Sequence, residues 1–200
     1  MMNTQDRRES ALEYLEDAAA AVRSAGEACI DDVLAAAQIM AATLHRGGKV
    51  LICGNGGSAA DAQHLAAELV SCITRDRVRQ ALPAVALTTD SSIITAIGND
   101  FGFAGIFERQ VESLGRPGDV LLAISTSGNS ENVLRAVDRA SQQGMRTIAL
   151  TGGDGGKLRT DVDVAICVPV EVTSHAQEAH IAVEHLLATL VEGELFPEER

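Results

Sequence analysis

Two hundred residues are enough for one domain with a full core and do not favour two. Twenty-eight acidic against 16 basic side chains leave a net charge of −12, which repels nucleic acid and anionic membranes at long range, so any anionic ligand must be gripped locally. The charged opening MMNTQDRRESALEYLED lacks the apolar stretch of a signal peptide, and no later segment reaches roughly 18 uninterrupted apolar residues; a cytoplasmic protein with no membrane partner is expected.

Along the chain, residues 9–44 repeat Ala, Leu, Val and Ile at helical spacing with Gly26 as a break, which predicts two long helices. Their alanine-rich faces suit helix pairing, so residues 1–46 read as a helical oligomerisation segment ahead of, and belonging to, a single domain spanning 1–200. Five short apolar runs then read as strands, at 50–53, 84–87, 120–124, 147–150 and 164–168. Helical patterns fall at 59–71, 91–97, 106–114, 130–143 and 174–192. This alternation predicts an α/β fold, a three-layer sandwich with a mainly parallel five-stranded sheet preceded by N-terminal helices, whose sites lie at the strand C-termini. With no Trp, one Tyr and four Phe, the core falls to Ala, Val, Leu and Ile. Cys29, Cys53, Cys72 and Cys167 are scattered without a CxxC and read as small apolar residues in a reducing compartment.

Chemistry concentrates first in GNGGSAADAQHLAAE, residues 54–68. A strand feeding a glycine turn and a helix N-terminus makes an anion site, because the first helical N–H groups lack internal partners and carry the positive end of the helix dipole. Asn55, Gly56 and Ser58 line that mouth. The stretch matches neither G-x-x-x-x-G-K-[ST] nor G-x-G-x-x-G, which sets nucleotide binding low. One turn further along, His64 and Glu68 stand four apart on one helix face, a spacing that alone is met more often in solvated surface pairs. A second polar turn, Ser125-Thr126-Ser127-Gly128-Asn129-Ser130, follows the strand at 120–124. Its hydroxyls and free amides suit a phosphate without any basic residue, with Ser130 placed as the N-cap of the next helix. The two turns share a form and should lie at one edge of the sheet.

The segments CGNGGSAADAQHLAAEL, LTTDSSIITAIGNDFGF, RPGDVLLAISTSGNSENVLRA, LTGGDGGKL and QEAHIAVEHLL resemble the sugar isomerase (SIS) domain family and, within it, the phosphoheptose isomerases. The resemblance implies a homotetramer with active sites between subunits, converting sedoheptulose 7-phosphate to D-glycero-D-manno-heptose 7-phosphate through an enediol. It implies zinc held by His64, Glu68, Gln177 and His185, with Glu68 and His185 as acid and base. It places Asn55 and Asp100 on the sugar hydroxyls. Thr89 and Asp90 in TTDSS are weaker candidates for a sugar contact, since the stretch also reads as a plain N-cap for the helix beginning near Ile93. Gln177 and His185 are eight residues apart, about 12 Å along a helix, so both reach one ion only when extended or from different subunits. If His185 is not a ligand, it remains the acid/base partner of Glu68. His180 and His45 read as structural. A non-catalytic sugar-phosphate-binding regulator of the same fold would need neither Glu68 nor His185, and a hexose-phosphate isomerase would share the loops but not the four-residue set.

The chain departs from the family pattern in two places. Cys72 stands where an arginine usually follows the glutamate by four residues; Arg75, Arg77 and Arg79 then read as its replacements or, more simply, as solvated charges on a loop. His175 and Ala176 replace an arginine and an apolar residue ahead of Gln177. Both changes bear on the substrate more than on the chemistry.

Overall fold

A computed structural model describes residues 3–74 and 78–197. Arg75 and Arg77 therefore lie outside the described residues. The N-terminal pattern forms one helix, α1 (Thr4–His45), opened by Asn3, whose side chain accepts from the Asp6 amide at 2.9 Å in a capping box. Gly26 does not break it. One glycine costs a helix only about 1 kcal/mol relative to alanine. Here the buried stripe Ala21, Ala25, Cys29, Val33, Ala37 and Met40 runs through that position and seats the helix on the last one, α7 (Thr173–Leu195). Before Ala21 no described residue of α1 is buried, and Leu12 and Leu15 face outward. Among the described residues α1 is long and apolar enough to cross a membrane by length and composition, but its apolar stripe is spent on α7 and the sheet.

The strands β1 (Val50–Gly54), β2 (Ala84–Ala86), β3 (Val120–Ser125), β4 (Arg146–Gly152) and β5 (Val164–Val168) form one sheet in the order β2-β1-β3-β4-β5, parallel throughout. The period-2 alternation of strand side chains divides the core. Val50, Ile52, Val120, Leu122, Ile124, Ile148 and Leu150 face α1, α7 and α2 (Gly57–Val70). Leu51, Cys53, Leu121, Ala123 and Ala149 face Phe107, Val111, Val133, Ala136 and Val137, which lie on or beside α4 (Glu108–Leu114) and α5 (Glu131–Gln142). Burial on both faces is why β1 and β3 are apolar runs without polar alternation. Between β2 and α4, α3 (Ser91–Phe101) is capped by Asp90, whose side chain accepts from the Ile93 amide, and buries none of its residues; a 3-10 turn (Phe103–Gly105) follows. A short helix absent from the sequence reading, α6 (Leu158–Asp161), links β4 to β5.

Two loops at the C-terminal edge are pressed together. The Leu158 amide donates to the Gly128 carbonyl at 3.1 Å. Gly128 has φ +62°, and a Cβ there would lie 1.9 Å from the Gly155 carbonyl oxygen. The turn after β3 is thus shaped by the glycines after β4. Gly128→Ala is expected to lower stability by more than about 2 kcal/mol, combining left-handed strain with backbone overlap. Gly193→Ala, helical and open, is expected to leave it unchanged or raise it by up to about 1 kcal/mol. Thermal denaturation of the two variants checks the contrast.

Candidate active site

Parallel pairing of β1 and β3, with Gly54 opposite Ile124, delivers both polar turns to the same edge of the sheet, as their shared form predicts. They are tied by a reciprocal amide pair: Asn55 Nδ2 donates to Asn132 Oδ1 at 2.9 Å and Asn132 Nδ2 to Asn55 Oδ1 at 2.8 Å. Asn132, nearly fully buried, had no signal in the sequence beyond its place two residues into a helix. The pair leaves Asn55 one N–H and one lone pair for a ligand.

In the second turn, Ser130 occupies the N-cap position of α5 but makes no capping bond. Its hydroxyl lies 3.0 Å from that of Ser125, which in turn lies 3.5 Å from that of Ser127. The hydroxyls converge on one another, and the first amides of α5 keep no side-chain cap. That arrangement can receive an anion through O–H and N–H donors alone. Ser125 and Ser58 are buried at the floor of the two turns, whereas Ser127 is exposed and Thr126 half-buried.

Helices α2 and α7 run side by side in the same direction. At the start of α2, the Gln177 amide crowds Gly57 so closely that a Cβ there would meet Gln177 Nε2 at 2.4 Å. Two turns on, His64 Nε2 and His185 Nε2 approach to 2.8 Å with the rings edge to face, and Glu68 Oε1 lies 3.7 Å from His64 Nε2. Donor atoms of His64, Glu68 and His185 all fall within 4.8 Å of one another. Two imidazole nitrogens and one carboxylate with access to solvent fit a catalytic zinc ion, which takes three protein ligands and keeps a position open. Gln177 stands apart from this trio, seven residues of α2, about 10 Å of rise, separating Gly57 from His64. Asp100, at the exposed end of α3, accepts from its neighbour Asn99 and makes no described bond to either turn.

Between these levels lies a polar layer the sequence did not announce. His180 is fully buried and its Nε2–H donates to the Thr151 carbonyl at 3.1 Å, so desolvation keeps the ring neutral. Glu184, also fully buried, has two carboxyl oxygens without partners; burial, then the nearby Asp61, push its pKa up to about 9. Asp61 is itself pushed up to about 6 by burial, against a smaller opposing pull from His64. At the mouth of α7, Tyr14 Oη donates to Glu178 Oε1 at 2.7 Å and His175 Nδ1 pairs with Glu178 Oε2 at 2.8 Å, pinning the exposed half of α1 to α7. Arg79, read from sequence as a solvated charge or a replacement cation, is neither. Its side chain is 2% exposed and bonded to Glu192 and to the carbonyls ending α2. Cys72 sits half-buried just beyond α2.

A parallel sheet with two polar turns at one edge and a His–Glu–His cluster two helical turns along α2 defines an α/β protein whose site joins anion-accepting turns to groups able to do proton or metal chemistry. The SIS domain family model matches residues 13–152. A phosphoheptose isomerase of Rhodospirillum rubrum is 54% identical over 167 residues, covering 84% of this chain and 88% of the relative. One of Roseiflexus sp. (strain RS-1) is 53% identical over 166 residues, 83% of each. The solved phosphoheptose isomerase of Neisseria gonorrhoeae superposes with a TM-score of 0.86 at 44% identity, covering 93% of this chain and 98% of that one. The chain belongs to the SIS-domain family and, within it, to the phosphoheptose isomerases; it is a sugar-phosphate isomerase.

The raised Glu184 pKa gives a signed expectation. A carboxyl with an ordinary unfolded pKa of 4.5 and a folded value of about 9 binds its proton more tightly in the fold, so its contribution is fully present below pH 4.5 and lost as pH rises towards 9. Glu184→Gln, neutral at every pH, is therefore expected to raise the melting temperature of metal-free protein more at pH 8.5 than at pH 5. An equal shift at both pH values would show that Glu184 is not held protonated.

Proposed function

We propose that this chain isomerises sedoheptulose 7-phosphate to D-glycero-D-manno-heptose 7-phosphate through an enediol. The observation carrying this reading is the approach of His64, Glu68 and His185 on the two helices whose N-terminal ends, Gly57 and Gln177, meet beside the edge that carries both polar turns. The phosphate sits in the turn of Ser125, Thr126, Ser127 and Ser130, held by hydroxyls and free α5 amides. Ser58 and the Gly56 backbone assist from the first turn, and Asn55 and Gln177 meet the sugar hydroxyls. No basic residue is required, which suits a chain of net charge −12.

Isomerisation needs a base that moves a proton between adjacent carbons and a group that manages the carbonyl oxygen. Glu68 takes the proton from C1 of the ketose and returns it to C2, while a hydroxyl proton passes between O1 and O2. Its carboxylate is half-buried, one turn past His64. His64, Glu68 and His185 would hold zinc, and Gln177 would join them by extending or from a neighbouring chain. When bound, zinc polarises the carbonyl and acidifies the adjacent carbon. With the ion in place His185 is a ligand and Glu68 carries the proton; without it His185 is the acid partner.

A homotetramer would cover α3, which buries nothing within the chain, and the exposed apolar residues Leu12, Leu15, Ile30 and Leu34 of α1. Asp100, at the end of α3, would then serve a site shared between chains. The segment 1–46 is its oligomerisation arm within a single domain of 200 residues, and the protein works in the cytoplasm.

Purified protein is expected to convert sedoheptulose 7-phosphate in preference to fructose 6-phosphate, faster after zinc is added to chelator-stripped enzyme. Glu68→Gln is expected to lower kcat by roughly 100-fold or more, the usual scale of a general base, while KM changes little. A zinc-replete wild type without activity on either sugar would overturn the enzymatic reading in favour of a sugar-phosphate binder.

A further inference from the structure

Glu68, the base in the reading above, stands in the last turn of α2, where a helix has carbonyls without internal partners and is prone to fray. No basic residue of α2 itself occupies that turn. The cation that does so comes from beyond the helix. Arg79 Nη2 donates to the Glu68 carbonyl at 2.9 Å and Nη1 to the Leu69 carbonyl at 2.7 Å. Its Nε and Nη2 meet Glu192 Oε1 at 2.8 and 2.5 Å, and the same oxygen accepts from the Ile73 amide at 3.1 Å. Both side chains are almost wholly buried, at 2% and 4% exposed.

Glu192 lies seven residues, two turns, past His185 on α7. One guanidinium therefore grips the backbone of the residue that moves the proton and the helix that brings His185 to His64. We infer that Arg79 is a positioning residue of the reaction, which with Glu192 locks the C-terminal turns of α2 and α7 in the register that sets Glu68 and His185 on one reacting centre. The planar fork is what the task needs. It satisfies two carbonyls and a carboxylate at once, in fixed geometry, where a lysine ammonium is a point charge on a flexible stem. A sub-ångström slip of α2 on α7 would be felt at the site, since a misplacement of about 1 Å costs a reaction on the order of 100-fold.

The inference rests on Glu68 as base, and its test separates the two. Full-length Arg79→Lys, the double variant Arg79→Met/Glu192→Leu and Glu68→Gln are compared with wild type in melting temperature, in kcat and KM for sedoheptulose 7-phosphate, and in zinc affinity by competition with a chromophoric chelator. Replacing both partners of a buried ion pair by apolar groups of similar size commonly preserves stability, so the double variant removes the clamp without unfolding the protein. The positioning role predicts a double variant that melts near wild type, with kcat down at least about tenfold, KM within about threefold and zinc held at least about tenfold more weakly. Wild-type kcat and zinc affinity in that variant would overturn it. Should the double variant melt far below wild type, Arg79→Lys decides: a reduced kcat at an unchanged melting temperature supports the clamp, and an unchanged kcat overturns it. An active Glu68→Gln would instead remove the base assignment, whatever the Arg79 variants do.

Discussion

The side-by-side register of α2 and α7 is the constraint on which the site depends. These helices belong to distant parts of the chain, and only their packing on one face of the sheet brings residue 64 to residue 185. Apolar contacts fix the approach: Ala62, Leu65, Ala66 and Leu69 on α2, Ala179, Val183 and Leu187 on α7. Apolar surface is nearly indifferent to small slides, and the register is set instead by polar groups that cannot be left unpaired without cost. Gln177 against Gly57 marks one end and Arg79 with Glu192 the far end, whereas the Glu184 carboxyl between them has no hydrogen-bond partner.

Seen from the sheet, the same edge supplies the other half of the chemistry. Because β1 and β3 are adjacent and parallel, their C-terminal turns lie side by side, and the Asn55–Asn132 pair joins them. The second turn gives up a helix cap: the Ser130 hydroxyl turns to Ser125 and leaves the α5 amides for a ligand. A local concession in stability at that helix end leaves O–H and N–H donors free, as the proposed phosphate grip without a cation requires. Glycines after β4 hold the turn in shape from behind, the close approach at Gly128 admitting no side chain.

Much of this was legible in the sequence because it rests on local rules. Short apolar runs bounded by turn residues matched all five strands, and helical spacing matched α2, α3, α5 and α7 to within a few residues. The two polar turns declared themselves by composition. Where reading failed, the cause was non-local. Gly26 looked like a break, since glycine is a poor helix former, yet the buried stripe of α1 outweighs one residue's propensity. Arg79 looked like a loop charge because nothing in its neighbours tells that Glu192, over a hundred residues on, will bury it. Glu184 and His180 lay among apolar residues on α7 with no pattern to distinguish them, and only the fold shows that they face Asp61 and the end of β4. Gln177 and His185 share a helix, but the rise between them leaves Gln177 beside Gly57 in the first polar turn and His185 at the His–Glu cluster.

In the proposed reading α2 and α7 together form one metal-assisted reacting centre from His64, Glu68 and His185. Zinc K-edge X-ray absorption on the zinc-loaded protein tests it most directly. Such a centre predicts a first shell with two imidazole nitrogens at about 2.0–2.1 Å, reduced to one in His185→Ala and in His64→Ala. A shell of oxygen alone, or one unchanged by both substitutions, would place the ion elsewhere and contradict it.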